Sequence, residues 1–294
     1  MEVELSGGLG NQLFQYSFGK FMEIKFKIKV DYVNDYENIH KTQHKSLISD
    51  FNLKNRIKEK KSIKSKTHLN LIRVHRYLNR KIKLYSVINL YFFKNYQSKV
   101  IGYDKNITQQ MRSRFIRGHF QSLIYADVSK ESLAVELVIN KPSDYYLRLK
   151  KEIEKDRPII IHIRRGDYVA NSKSIGLLSQ EYYNTAIREM LNYLPNSIFW
   201  VFSDDEIECE KLLVKLLINP KKRIYPNSSL KESETLLLMS SGAGLILSNS
   251  TFSWWAGYLN NKIVMVPNKW FRTMTDPEQL IPENWIRIQS YWTN

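Results

Sequence analysis

The chain has 294 residues, 43% of them apolar and 13% aromatic, which is enough to bury substantial cores, suits two ordinary domains and excludes a wholly disordered protein. Its one cysteine, Cys209, excludes an internal disulfide framework, and no run of about eighteen apolar residues offers a spanning helix. Lys and Arg total 45 against 29 acids, giving a net charge of +16, and the N-terminus lacks the basic start and apolar run of a signal peptide, so a cytoplasmic protein is expected.

Residues 3–5 read as a strand and Ser6-Gly7-Gly8-Leu9-Gly10 as a flexible turn. Asn11 is the expected cap of a helix with Leu13, Phe14, Phe18, Phe21 and Met22 on its apolar positions. Segment 54–105 holds fifteen basic residues and two acids, Glu59 and Asp104, among apolar residues at helical spacing. That pattern predicts a basic helical insertion. Its charge suits an anionic partner, nucleic acid or an acidic membrane surface, or else a solvated basic face. From residue 158 onward strands alternate with helices. Strands are expected at 158–163, 198–202, 223–225, 245–247 and 263–266, and helices at 179–193, 206–217, 233–240 and 254–259. Such alternation indicates a parallel, doubly wound sheet. The expected fold is therefore α/β, with two Rossmann-like domains facing across a cleft. The domains are 1–155 and 156–294, and the boundary lies in the charged stretch 151–157.

Four motifs have chemical character. Gly8-Leu9-Gly10 begins like a dinucleotide fingerprint, but Leu13 stands where a third glycine belongs, and only Asp31 is available as the ribose acid. The loop is either a tight strand–helix turn or an anion-approach loop. His162-Ile163-Arg164-Arg165-Gly166-Asp167-Tyr168 ends a buried strand, where open α/β sheets place ligands. Paired guanidinium forks there suit phosphate oxygens, unless Asp167 simply pairs with one of them. Ser203-Asp204-Asp205 ends the next strand and fits a divalent metal, a ribose or base edge, or a helix cap. Asn249-Ser250-Thr251-Phe252 opens a helix with hydroxyls and N–H groups suited to phosphate. His40 and His44 have i, i+4 spacing, but no third metal ligand accompanies them.

These motifs resemble the signatures of the bacterial α-1,2-fucosyltransferases, glycosyltransferase family eleven. The similar stretches are 7–16, 162–168, 202–205 and 248–255, with weaker likeness at 117–122, 180–183 and 269–271. The resemblance implies a GT-B-type glycosyltransferase. It implies inverting, metal-independent transfer of L-fucose from GDP-β-L-fucose to the 2-hydroxyl of a galactose in an oligosaccharide, such as a lipid-linked O-antigen. No cofactor is expected. By that resemblance Arg165 first and Arg164 second hold the donor phosphates, with His162 and Asp167 completing the catalytic group. Ser250, Thr251, Phe252 and Asn249 form the diphosphate loop, Ser203 and Asp204 meet the nucleoside, and Gly8, Gly10, Asn11 and Gln12 approach the sugar. The family often reads Glu-Asp-Leu, then Cys and His, before the last motif. Here Glu234-Thr235-Leu236 is followed by Gly242 and Gly244, so Glu234 is the carboxylate left for guanine. An oxidoreductase lacks its fingerprint here, and a nucleic-acid binder lacks aromatic platforms. The basic segment is expected to hold the enzyme peripherally on the inner face of the cytoplasmic membrane.

Overall fold

A computed structural model of the chain describes residues 1–34, 46–55, 57–59, 95–226 and 229–293. The chain forms two compact units, Met1–Val138 with Pro277–Leu280, and Ile139–Asp276 with Ile281–Asn294. His40, His44 and most of segment 54–105 lie outside the described residues, and with them the expected helical insertion and membrane surface. Among the described residues no helix is long and apolar enough to cross a membrane.

The first unit is built on strands β1 (Glu2–Leu5), β2 (Asp31–Asn34), β3 (Ile57–Glu59), β4 (Asn95–Gln97) and β5 (Phe115–Arg117), with helices α1 (Leu9–Phe26) and α2 (Leu123–Glu136). All strand pairs are parallel, in the order β3-β2-β1-β5-β4. The described ends of the basic segment are thus strands, not helices. Gly8 is the N-cap of α1, so Asn11 lies in the first turn instead of capping it. The turn is made one step earlier: Gly7 has φ +75°, and a Cβ there would meet Asn11 Nδ2 at 2.8 Å, a position only glycine fills without strain. Leu13, Phe14, Phe18, Phe21 and Met22 are all buried, and Phe18 stacks on Phe120 with ring centroids 3.8 Å apart.

The second unit opens with α3 (Asp144–Asp156). Strands β6 (Ile159–Ile163), β7 (Phe199–Ser203), β8 (Lys222–Ile224), β9 (Gly244–Ile246), β10 (Ile263–Pro267) and β11 (Ile286–Ile288) follow. The intervening helices are α4 (Gly166–Ala170), α5 (Gln180–Tyr193), α6 (Glu206–Leu213), α7 (Glu232–Met239) and α8 (Thr251–Asn260). The sheet is parallel throughout, in the order β11-β10-β9-β6-β7-β8. Every strand of β6 and β7 is buried along its whole length, as a sheet covered on both faces requires. The domain boundary falls at Val138/Ile139, not at 151–157. The charged stretch is the solvent face of α3, whose Tyr146, Leu149 and Ile153 are buried at i, i+3 and i+7. Ser143 caps α3 by accepting from Tyr146 N at 3.1 Å.

Unit 1 buries an ion pair. Lys20 Nζ lies 2.9 Å from Glu136 Oε1, with the carboxylate fully buried. Tyr16 Oη also donates to Glu136 and Ser132 Oγ donates at 2.6 Å. Burial pushes the Glu136 pKa up, but the hydrogen bonds from Ser132, Tyr16 and Lys20, with the Lys20 charge, hold it below its ordinary value. A carboxylate lowered in the folded state contributes stability that is complete above its unfolded pKa of about 4.3 and is lost as pH falls through the folded value. Urea unfolding between pH 6 and pH 3 is therefore expected to show acid loss in the wild type. Glu136→Gln removes the nearest carboxylate from Lys20 and leaves it Asn55 Oδ1 at 2.8 Å and Glu23 Oε2 at 3.7 Å; it should cost about 1–3 kcal/mol at pH 6 and flatten that dependence.

Candidate functional site

The order of the second sheet reverses at β6. The chain winds to β7 and β8 on one side of it, then to β9 and β10 on the other. Ligands of open α/β sheets bind beyond the carboxyl ends of the strands at such a switch point. Here that point joins the loops after β6 and β9, which carry two of the four motifs.

Buried hydrogen bonds tie the two loops together. His162 Nδ1 is 2.7 Å from Ser248 Oγ, which is 3.2 Å from Ser253 Oγ. Tyr168 Oη donates to Asn249 O at 3.0 Å. From α5, Tyr182 Oη donates to Leu247 O at 2.6 Å and Tyr183 Oη to His162 O at 3.3 Å. These two tyrosines were not singled out as functional from the sequence, although they fall within the weak likeness at 180–183. Burial first, then the Arg164 charge, pushes the His162 pKa down to about 3, so its imidazole is neutral at any working pH. Its contacts with Ser248 and Tyr183 order the loops.

Arg164 is the half-buried cation of this edge. Its Nη1 is 3.0 Å from Asp204 Oδ2 and its Nη2 is 2.5 Å from Asp167 Oδ1. Its guanidinium lies 5.3 Å from the Tyr168 ring centroid. Nε is buried without a hydrogen-bond partner among the described residues. Asp204 also accepts from Arg165 N at 2.7 Å. Burial lifts the Asp204 pKa, against the opposing pull of Arg164 and of that N–H. Gly166 makes the approach possible, since a Cβ there would lie 2.3 Å from Asp204 Oδ2. Asp167 is exposed, with 62% of its side chain accessible. Its contact with Arg164 is therefore worth at most about 1 kcal/mol and is readily exchanged for another anion.

Arg165 departs from this group. It is 4% exposed and its Nη2 donates to Leu178 O at 2.9 Å. Strand alternation explains the divergence. Ile159, Ile161 and Ile163 face the core shared with α5 and α6, where Tyr183, Ile187, Cys209 and Leu212 pack. Carried two residues past the strand end, the same alternation turns Arg165 toward α5 and leaves Arg164 on the side of His162.

The other predicted residues divide between support and exposure. Ser203 is buried and its Oγ accepts from Asp205 N at 3.3 Å. Asp205 caps α6 by accepting from Glu208 N at 3.0 Å. With Asp204 on Arg164 and Asp205 on a helix end, the two carboxylates serve separate partners. Among the described residues no group of three or more His, Cys, Asp or Glu gathers to hold a metal. Asn249 is 1% exposed and donates to Ile175 O, Gly176 O and Trp270 O at 3.2, 3.3 and 3.1 Å, so it organises loops instead of facing a ligand. Ser250 caps the ten-residue α8 through Phe252 N at 3.3 Å. Thr251 and Phe252 stand half-buried in its first turn, with the Phe252 ring centroid 5.8 Å from that of His162. Glu234 is not free for a base: it is fully buried and accepts from Ser143 N, Ser143 Oγ and Lys231 N at 2.6, 3.0 and 3.0 Å. Gly242 and Gly244 are packing positions, where a Cβ would meet Ile160 Cγ1 at 2.4 Å and Met190 Sδ at 2.9 Å.

In the first unit, a Cβ at Gly8 would meet no atom of the described residues within 4 Å, so packing among them does not require glycine there. Gly10 is buried within α1. Asn11 Oδ1 accepts from Gln121 Nε2 at 3.1 Å. Gln12 is fully buried, donating to Gly7 O at 2.9 Å and accepting from Leu47 N at 2.9 Å; it holds the turn and does not face a sugar. Gln15 does the same one helical turn on, accepting from Ser6 N at 2.8 Å and donating to Gly118 O at 3.1 Å. Gln15 was missed as a positioning residue, though the motif contains it.

Two parallel α/β units, one with a polar switch-point edge, are the architecture of the GT-B glycosyltransferases. The chain belongs to glycosyltransferase family 11: the family model described as Glycosyl transferase family 11 matches residues 1–289. It is accordingly an enzyme with a nucleotide-sugar donor and an oligosaccharide acceptor. It is 30% identical to the O-antigen biosynthesis glycosyltransferase WbnK of Escherichia coli, over 97% of this chain and 99% of that protein. It is also 30% identical to an alpha-1,2-colitosyltransferase of Escherichia coli, over 98% of each. Its fold is similar to that of the NodZ alpha-1,6-fucosyltransferase crystal soaked with GDP-fucose, with a TM-score of 0.50 and 11% identity over 94% of this chain and 98% of that one.

The depressed His162 pKa makes folding pH-dependent. A histidine kept neutral in the folded state stabilises fully above its unfolded pKa of about 6.5, and the contribution is lost as pH falls toward the folded value. Between pH 6 and pH 4 this one group should remove about 1.4 kcal/mol per pH unit. Denaturant titrations of the wild type and His162→Asn should differ in slope by that amount over this window, while equal slopes would show that His162 titrates normally.

Proposed function

We propose that the enzyme transfers L-fucose from GDP-β-L-fucose to the 2-hydroxyl of a galactose, with inversion and without a metal, on a lipid-linked O-antigen or similar surface glycan. The observation that carries the reading is Arg164: a cation at the switch point, with a buried Nε lacking a partner among the described residues and one exposed, exchangeable carboxylate contact. WbnK and the α-1,2-colitosyltransferase support the glycan class and the linkage. The same colitosyltransferase favours a second reading, in which the sugar transferred is colitose.

The geometry favours Arg164 over Arg165 as the donor-phosphate ligand. An arriving diphosphate takes the place of Asp167 on Nη2 and gains Nε, while buried Asp204 keeps the guanidinium plane fixed through Nη1. The glycosidic bond to the leaving nucleotide breaks with oxocarbenium character, and negative charge grows on the β-phosphate. Arg164 and the N–H group of Thr251, the first residue of α8, are preorganised to take that charge. Asp167, once released, is the carboxylate of this loop able to accept the acceptor hydroxyl's proton; while paired with Arg164 it is a poor base. Asp204 and Asp205 are already engaged, which favours a guanidinium over a metal as the phosphate partner.

Calorimetry with GDP-fucose, the corresponding colitose nucleotide, GDP-mannose and UDP-galactose, each with and without chelator, tests the reading. Fucose-selective binding that survives chelation is expected. Preference for the colitose nucleotide selects the second reading, and loss of binding on chelation overturns metal independence. Arg164→Lys keeps the charge but loses the fork, and is expected to lower kcat by about 10²–10³; near-wild-type turnover in that variant would remove Arg164 from the mechanism.

A further inference from the structure

The second arginine of the pair has no place in the mechanism above, yet its burial is harder to account for. Arg165 Nη1 is buried without a hydrogen-bond partner among the described residues, and its only side-chain hydrogen bond is the one from Nη2 to Leu178 O. A guanidinium cannot shed its proton at working pH, so burying it with no salt-bridge partner among the described residues is costly. Its position adds to the strain. Leu178 immediately precedes Ser179, the N-cap of the fourteen-residue α5. The guanidinium therefore lies beside the positive end of a helix, like charge against like.

Both features are resolved by an anion. Arg165 lines a cavity of about 740 Å³ together with Ser179 and Gln180 at the start of α5. Three more cations line it: Arg188 on α5, and Lys211 and Lys215 from α6 and the turn that follows. Glu181 and Glu208 are its carboxylates, and Glu208 is held by Lys211 at 2.6 Å. Cations thus outnumber acids around an N-terminal helix end. Neither Arg164, Asp204, His162 nor the Ser248–Phe252 loop lines this cavity, so it is separate from the donor edge.

We propose that this cavity is a second anion site, taking a phosphate group with Arg165 as its buried anchor and Gln180 and Arg188 as further donors. Its volume is that of a small-molecule site and far exceeds a bare phosphate. The phosphate therefore belongs to an organic ligand, either a soluble phosphate ester or the phosphate of a lipid headgroup. The site does not depend on which sugar nucleotide the donor edge takes.

The test uses the full-length chain and pyrophosphate as the probe. In Arg164→Ala, which strips the donor-edge guanidinium, calorimetry is expected to retain one pyrophosphate site. Adding Arg188→Ala, an exposed position that leaves the core intact, should weaken that site at least tenfold. Arg165→Met should abolish it, while raising the thermal midpoint measured without phosphate or leaving it unchanged. Sedimentation with phosphatidylglycerol vesicles separates the two sources: binding that Arg188→Ala weakens assigns a lipid phosphate, and pyrophosphate binding without vesicle binding assigns a soluble ester. The proposal is overturned if Arg164→Ala alone removes all pyrophosphate binding, or if binding is unchanged in Arg188→Ala.

Discussion

The site of this enzyme depends on the parallel pairing of β6 with β9. That pairing sets Ile159 beside Gly244 and Ile161 beside Ile246, although the strands are separated by two complete strand–helix excursions. It brings the loop that follows His162, with Arg164, against the loop holding Ser248 and Ser250, and the buried hydrogen bonds then tie the two together. Gly244 is small because α5 crosses it: Met190 and Leu194 occupy the space a Cβ would need. A larger residue there would lift α5 from the sheet, and with it the tyrosines that bond the carbonyls at both strand ends.

Once the loops meet, their polar groups must be satisfied internally, because they are buried. The Ser248–His162 contact, the triple donation of Asn249 and the caps by Ser250 and Asp205 do this. Most of the motif residues are thereby engaged within the framework of this edge. The portion left exposed is small: one fork of Arg164, Asp167, and the first turn of α8. The Arg164–Asp204 pair is the hinge between framework and function. It buries a charge that would be costly alone, and Gly166 is the residue that lets the carboxylate close on it.

Much of this was legible from sequence. The β-branched run at 159–163 and the alternation after it gave the second sheet, because buried strands and amphipathic helices differ in period. The motifs at 162–168, 202–205 and 248–255 do fall at or just after the carboxyl ends of β6, β7 and β9, where open α/β sheets place their ligands. Other parts were hidden for physical reasons. Strands β3, β4 and β5 have three residues each, too few for period 2 to show. The end of helix α3 reads as a domain boundary at 151–157 because its charged face outnumbers its three buried apolar residues. The partition of roles within a motif was also hidden. Gln12 and Glu234 look like ligands by type, and only their partners reveal them as clasps.

The arginine pair was half legible. Alternation beyond Ile163 requires Arg164 and Arg165 to leave opposite faces of the sheet, so two adjacent arginines cannot both grip one phosphate from a strand end unless the backbone abandons the extended form at once. Residue type alone suggested a double grip, and period 2 argues for a divided one. The side of His162 receives a guanidinium balanced by two carboxylates, one fixed and one exchangeable. The side of α5 receives a guanidinium with no salt-bridge partner among the described residues, in a cavity where four cations face two carboxylates. The motif thus builds a tuned cation on one face and an incompletely neutralised one on the other, and an excess of positive charge of that kind favours an anion.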